Sequence, residues 1–209
     1  MGAGENVVPG AESVNVANVF VAIPPWTADG VLPPHDASSP VSNERSPYLV
    51  SLTDVVTRFG ITPQRQAILA GLLAYRRALH DVGLVRGFQW LDGSFAEHVE
   101  VIEQRGPNDI DVVTFYRLPS GATQETFAPV LGDLYDHDVV KHRFRVDAYL
   151  EDLAMAPELL VDTAAYWYSM WAHRRTAAWK GFLQIDLAPT HDAAAQAALE
   201  HLQRSGGAP

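Results

Sequence analysis

The chain has 209 residues, 47% of them hydrophobic and 10% aromatic, with 25 acidic against 15 basic side chains for a net charge of −10. That composition belongs to one folded domain with decorations, not to a disordered chain. The acidic balance argues against strong non-specific binding to duplex nucleic acid, whose affinity comes from neutralising phosphates, and the absence of cysteine excludes disulfides, thiolate catalysis and cysteine-ligated zinc.

No apolar run reaches the length a membrane helix needs, roughly 18 residues. The first residues lack a basic stretch before an apolar one, and Asn6 stands where a myristoylation motif wants Ser or Thr. A soluble, unanchored, cytoplasmic protein is expected. Residues 1–17 read as a mobile tail without clear period. Residues 18–50 carry Pro24, Pro25, Pro33, Pro34, Pro40 and Pro47, which rule out a long helix. They read as an extended proline-rich arm anchored by Phe20, Trp26, Leu32 and Tyr48.

Residues 51–190 form the expected main domain. Ser51 with Asp54 three positions on marks a short helix that Gly60 stops. Thr62-Pro63 pairs an N-cap threonine with a first-turn proline and opens a helix to about Val82, ended by Gly83. Ile68, Leu72, Tyr75 and Leu79 mark its buried face, and Arg65, Arg76 and Arg77 are expected on a solvated one. A strand at 86–91 leads into Asp92-Gly93-Ser94. Residues 95–104 fit a short helix or a strand, with Glu97, Glu100 and Glu103 expected in solvent. After a turn at 105–108, a second strand covers 109–116. A helix is expected at 124–135, then a strand over 142–150 whose Arg143, Arg145, Asp147 and Tyr149 share one face. Pro157 opens a helix to about 173, with Leu160, Ala164, Trp167 and Trp171 on its buried stripe. Residues 173–180 hold a basic cluster, residues 181–187 a last strand, and residues 191–209 an Ala-rich terminal helix with a frayed end.

Asp109 and Asp111 point the same way from one strand. Two adjacent carboxylates repel unless a cation lies between them, and a hard divalent ion with oxygen ligands is the usual partner. Asp147 would join them if its strand is a neighbour. The Gly93-Ser94 turn lies fifteen positions before Asp109, and without a Cβ its backbone can approach phosphate oxygens closely. Asp92 reads as shaping that turn. His98, His137 and His173 show no ligand spacing.

Gly93-Ser94, Asp109-Ile110-Asp111 and Asp147 together resemble the signature of the DNA polymerase β-like nucleotidyltransferase superfamily. The resemblance covers roughly residues 86–150. More loosely, Ile23-Pro24-Pro25, Gly30 to Pro34, Ser46-Pro47-Tyr48 and Lys180-Gly181 look like a family of short, uncharacterised bacterial nucleotidyltransferase-like proteins. The resemblance implies an α+β fold with a nucleotidyltransferase-type mixed sheet flanked by helices. It implies Mg²⁺ or Mn²⁺ on Asp109, Asp111 and Asp147, which are then both metal ligands and catalytic residues. Gly93 and Ser94 would hold the nucleotide's terminal phosphates, with Arg143 and Arg145 as further phosphate contacts or as charge balance for the aspartates. An NTP would give its nucleoside monophosphate to an acceptor that is a small molecule, a protein or an RNA end. The alternatives are a non-catalytic nucleotide-binding or partner-binding protein of a toxin-antitoxin or phage-defence pair, and a phosphohydrolase using the same carboxylates.

Overall fold

The computed structural model describes residues 19–206, so the expected tail at 1–17 lies outside the described residues. Ser51 caps α1 (Leu52–Phe59), its side chain accepting from the Asp54 amide, and Gly60 ends that helix. Thr62 caps α2 (Pro63–Asp81) by accepting from the Arg65 amide. Both starts lie where the Ser/Thr signals place them. The 95–104 segment resolves as turns and one short helix, α3 (Val99–Ile102). A capped helix α4 (Gln124–Leu131) and a 3-10 turn at Gly132–Tyr135 fill the next predicted helix.

The sheet has five strands: β1 (Tyr48–Leu49), β2 (Gly87–Asp92), β3 (Ile110–Tyr116), β4 (Val146–Asp152) and β5 (Leu183–Asp186). Their order is β1-β5-β2-β3-β4. The sheet is mixed, with β1 parallel to β5 and β3 parallel to β4, while β2 runs antiparallel to both β3 and β5. The fold is therefore α+β, a mixed sheet flanked by helices.

Strand alternation sorts the two faces. Leu91, Ile110, Val112, Val146, Ala148, Leu183 and Ile185 enter the larger core with residues of α1, α2 and the terminal helix α7 (Asp192–Ser205). Trp90, Val113, Phe115 and Phe182 point the other way, onto Trp167 and Trp171 of α6 (Pro157–Trp171). Leu160 and Ala164 of the predicted α6 stripe are only half-buried. Asp92, Asp111 and Asp147 belong to this second face, at the end of the sheet beyond the tryptophans.

Residues 19–47 contain no helix or strand, only an isolated bridge between His35 and Arg45. Leu32 and Tyr48 are buried, and Trp26 donates to the Ala96 carbonyl at 2.7 Å. Gly181 shows why a Cβ is excluded beside this segment: its amide donates to the Leu32 carbonyl at 2.7 Å, and a Cβ there would lie 2.4 Å from the Pro33 carbonyl oxygen.

Two expectations need correction. The strand predicted over 142–150 begins only at Val146, because residues 137–144 form helix α5 (His137–Phe144), capped by Asp136 and ended by Arg145 in a left-handed conformation. Phe144 is buried as expected, but from a helix, and Arg143 and Arg145 do not share a strand face with Asp147. Arg65 and Arg76 are not solvated either: both are fully buried. Arg65 forks onto Glu100 and donates to the Phe95 and Glu97 carbonyls. Arg76 forks onto Asp192 and donates to Gln89 and to the carbonyls of Asp186, Leu187 and Ala188. A buried guanidinium persists only when its five donors find acceptors. Here the chain ends of β5 and the turn after Gly93 supply them.

Candidate functional site

Sheet register builds the site. Asp92 pairs with Asp111 across β2 and β3, and Asp111 pairs with Asp147 across β3 and β4. Neighbouring strands lie about 4.8 Å apart, so three carboxylates form one row on the second face. Asp109 precedes β3 by one residue. The row runs from Lys180 on the β5 side to Lys141 and His137 of α5 on the β4 side.

Lys141 Nζ reaches Asp147 Oδ2 at 2.5 Å and Asp109 Oδ2 at 3.0 Å. Asp109 and Asp147, distant in sequence, are thus spanned by one ammonium, which their hydrogen bonds, Asp147's first, hold well above its ordinary pKa. Asp147 Oδ1 is buried and accepts no hydrogen bond. His137 Nε2 stands 3.2 Å from it, close enough for an ion pair when protonated but not aligned to donate.

At the other end, Lys180 Nζ lies 2.8 Å and 2.7 Å from the two Asp92 oxygens and 3.2 Å from Glu97 Oε1. All three side chains are buried. Burial alone would lower the lysine's pKa, but Asp92 and Glu97 outweigh it and raise it. Burial pushes the Asp92 carboxyl up to about 6, against the pull of Lys180. Arg174 extends the network, 3.0 Å from Glu97 and 2.5 Å from Glu103.

Asp111 sits between these cations with no ion-pair partner of its own among the described residues. Burial first, then the charges of Asp92, Asp147 and Asp109, push its carboxyl up to about 7. Gly93 closes over it with φ of +80°, and a Cβ there would lie 2.6 Å from Asp111 Oδ2. Only glycine accepts both that backbone and that approach. The turn that follows is fixed from below by Arg65, which donates to the Phe95 and Glu97 carbonyls; Ser94 is half-buried at its start.

Asp109, Asp111, Asp147, Gly93 and Ser94 therefore come together at one end of the sheet. Arg143 and Arg145 do not join them: both are exposed at the end of α5, Arg143 against the Phe144 ring. Sequence reasoning missed Lys141, His137, Lys180 and the burial of Glu97, and it placed Asp92 near the site as a residue that shapes the turn, without the Lys180 pairing that buries it. The available signal was Asp136, an N-cap residue that would have put His137 and Lys141 one turn apart on a helix.

As the side chains stand, no three His, Asp or Glu groups among the described residues form a ready metal cage. The ammonium of Lys141 fills the gap between two of them. Two features nevertheless suit a hard cation: the orphaned Asp147 oxygen and the unpaired central Asp111. Tyr149, two residues after Asp147 on β4, has its ring centre 4.7 Å from that of Trp167, the two rings tilted at 51°. No helix among the described residues is long and apolar enough to cross a membrane.

A model of a family of unknown function (DUF6932) matches residues 24–186, and the chain belongs to that family. No curated protein and no solved structure matches it. The matched span takes in every carboxylate of the row, both bridging lysines and the Gly93 turn.

Proposed function

We propose that this member of the family is a metal-dependent nucleotidyltransferase of the polymerase β-like kind, moving a nucleoside monophosphate from an NTP to an acceptor hydroxyl. The observation that carries the reading is the register: Asp92, Asp111 and Asp147 stand side by side on three strands, with Asp109 sharing one ammonium with Asp147. An all-carboxylate donor set suits Mg²⁺ or Mn²⁺ over softer ions. Asp109, Asp111 and Asp147 would hold it. When bound, such an ion neutralises phosphate charge and acidifies the acceptor hydroxyl.

The chain's own groups then have defined tasks. Gly93 and Ser94 would hold the terminal phosphates through the backbone and hydroxyl of their turn, while the space a Cβ at Gly93 would take is filled by Asp111. The acceptor oxygen bonds to the α-phosphorus, the bond from that phosphorus to the α–β bridging oxygen breaks, and pyrophosphate leaves. Asp147 takes the hydroxyl proton, with His137 beside its second oxygen to steady the carboxyl. The rate gain would come from positioning and from fixed charge, not from a covalent step.

A second reading is a non-catalytic nucleotide-binding or partner-binding protein. The observation that favours it is Lys141, whose ammonium satisfies Asp109 and Asp147 without any bound ion. Incubation with Mg²⁺ and each labelled NTP across a screen of small-molecule, protein and RNA acceptors separates the two. Pyrophosphate release that Asp109→Ala and Asp111→Ala abolish is the expected result. Release of free phosphate instead would mark a hydrolase, NTP binding without turnover would favour a non-catalytic nucleotide-binding protein, and no binding of any NTP would leave only the partner-binding reading.

A further inference from the structure

The carboxylate row already carries a cation, and that cation belongs to the chain. Lys141 Nζ sits 3.0 Å from Asp109 and 2.5 Å from Asp147. Its side chain is 41% exposed, whereas that of Asp147 is 17% exposed. The lysine thus reaches in from solvent along a short helix, and rotation about its own side-chain bonds is enough to withdraw it. Asp147 stands on β4 and Asp109 directly before β3, so the backbones that carry the two carboxylates are held by the sheet.

We propose that Lys141 is an exchangeable counter-cation: a divalent ion enters the row only by displacing its ammonium, and the displaced ammonium then pairs with the anion that arrives with the ion. The inference rests on the metal-site reading above. An ammonium and a divalent cation cannot share the same carboxylate oxygens, because their repulsion at that separation is large. A naked ion must therefore evict Lys141 into water. An ion carrying a polyphosphate offers the evicted ammonium a new partner within reach of its flexible stem. Lys141 would act as an autoinhibitory contact toward free metal and as a contact that favours the metal–polyphosphate complex.

The test uses the full chain, with Mn²⁺ alone and Mn²⁺ with a non-hydrolysable NTP analogue as probes, read by calorimetry and by the Mn²⁺ spin-resonance signal. Wild type is compared with Lys141→Met and Lys141→Gln, and circular dichroism reports that each variant is folded. Both variants are expected to bind Mn²⁺ alone about tenfold more tightly, the scale of one charge-assisted contact, while the Mn²⁺–analogue complex, relieved of the same displacement but deprived of one ammonium–phosphate contact, binds about as it does in wild type. Equal Mn²⁺ affinity in wild type and variants, with binding lost in Asp111→Asn, overturns this inference and leaves the metal site intact. Tightening of Mn²⁺ and of the Mn²⁺–analogue complex by the same factor overturns the second half of it. Failure of every form to bind Mn²⁺ overturns the inference together with the metal-site reading.

Discussion

Asp111 shares its strip of sheet with Asp92 and Asp147 and faces no cation of its own among the described residues. A carboxyl raised to about 7 in the fold, against roughly 4 in an unfolded chain, binds more protons folded than unfolded between those values. Its contribution to stability is therefore most favourable below the lower value and falls as pH rises through the window. Asp111→Asn keeps the shape and removes the charge. In metal-free buffer it is expected to exceed wild type in stability by on the order of 2 kcal/mol at about pH 8, with the gain vanishing near pH 4. Urea titrations across that range check this. A variant less stable than wild type at the alkaline end would show that Asp111 carries no uncompensated charge.

At the scale of elements, α5 must lie close against α2 for Lys141 and His137 to reach the row. Gly71 makes that approach possible: a Cβ at this position would come within 1.8 Å of the Phe144 carbonyl oxygen. In an exposed helix, Gly→Ala would gain about 1 kcal/mol of propensity. Here the backbones would have to part, so Gly71→Ala is expected to destabilise by roughly 1–3 kcal/mol. The urea midpoint reads the effect, and a midpoint equal to or above wild type would contradict the close packing. The same helix explains the misread strand. Val140 and Phe144 are buried four residues apart on α5, and Phe144 also continues the alternation of Val146 and Ala148. Over so short a span, helical and strand periods both fit, and Arg145 in a left-handed conformation marks a boundary that a non-glycine residue does not advertise.

Across the whole molecule, Arg76 is the tie between distant parts. From α2 it reaches Gln89 of β2, the carbonyls at the end of β5 and Asp192 at the start of α7. Arg76→Met fills most of the volume but leaves those acceptors unpaired. Loss of one partner from a buried charged network costs about 3 kcal/mol or more, the lower end being expected because Asp192 is partly exposed. Denaturation should show a lower midpoint with an unchanged slope. A midpoint like that of wild type would mean that the packing of α7 against α1 and α2 holds the molecule without this arginine. Lys180 plays the matching part on the other face, tying the segment just before β5 to Asp92 and Glu97.

The sequence by itself determined the helix starts at Ser51 and Thr62 and the apolar alternation of the strands. Each depends on neighbours a few residues apart, where backbone geometry fixes the outcome. Only the tertiary structure decided which charges leave solvent. Arg65, Arg76, Glu97 and Lys180 are ordinary surface residues by local pattern, and they are buried because partners far along the chain meet them, as Lys180 meets Asp92 across 88 positions. It also decided that Asp92 stands beside Asp111 and that Lys141 spans Asp109 and Asp147, since strand order and register arise from packing the whole sheet and have no local signature.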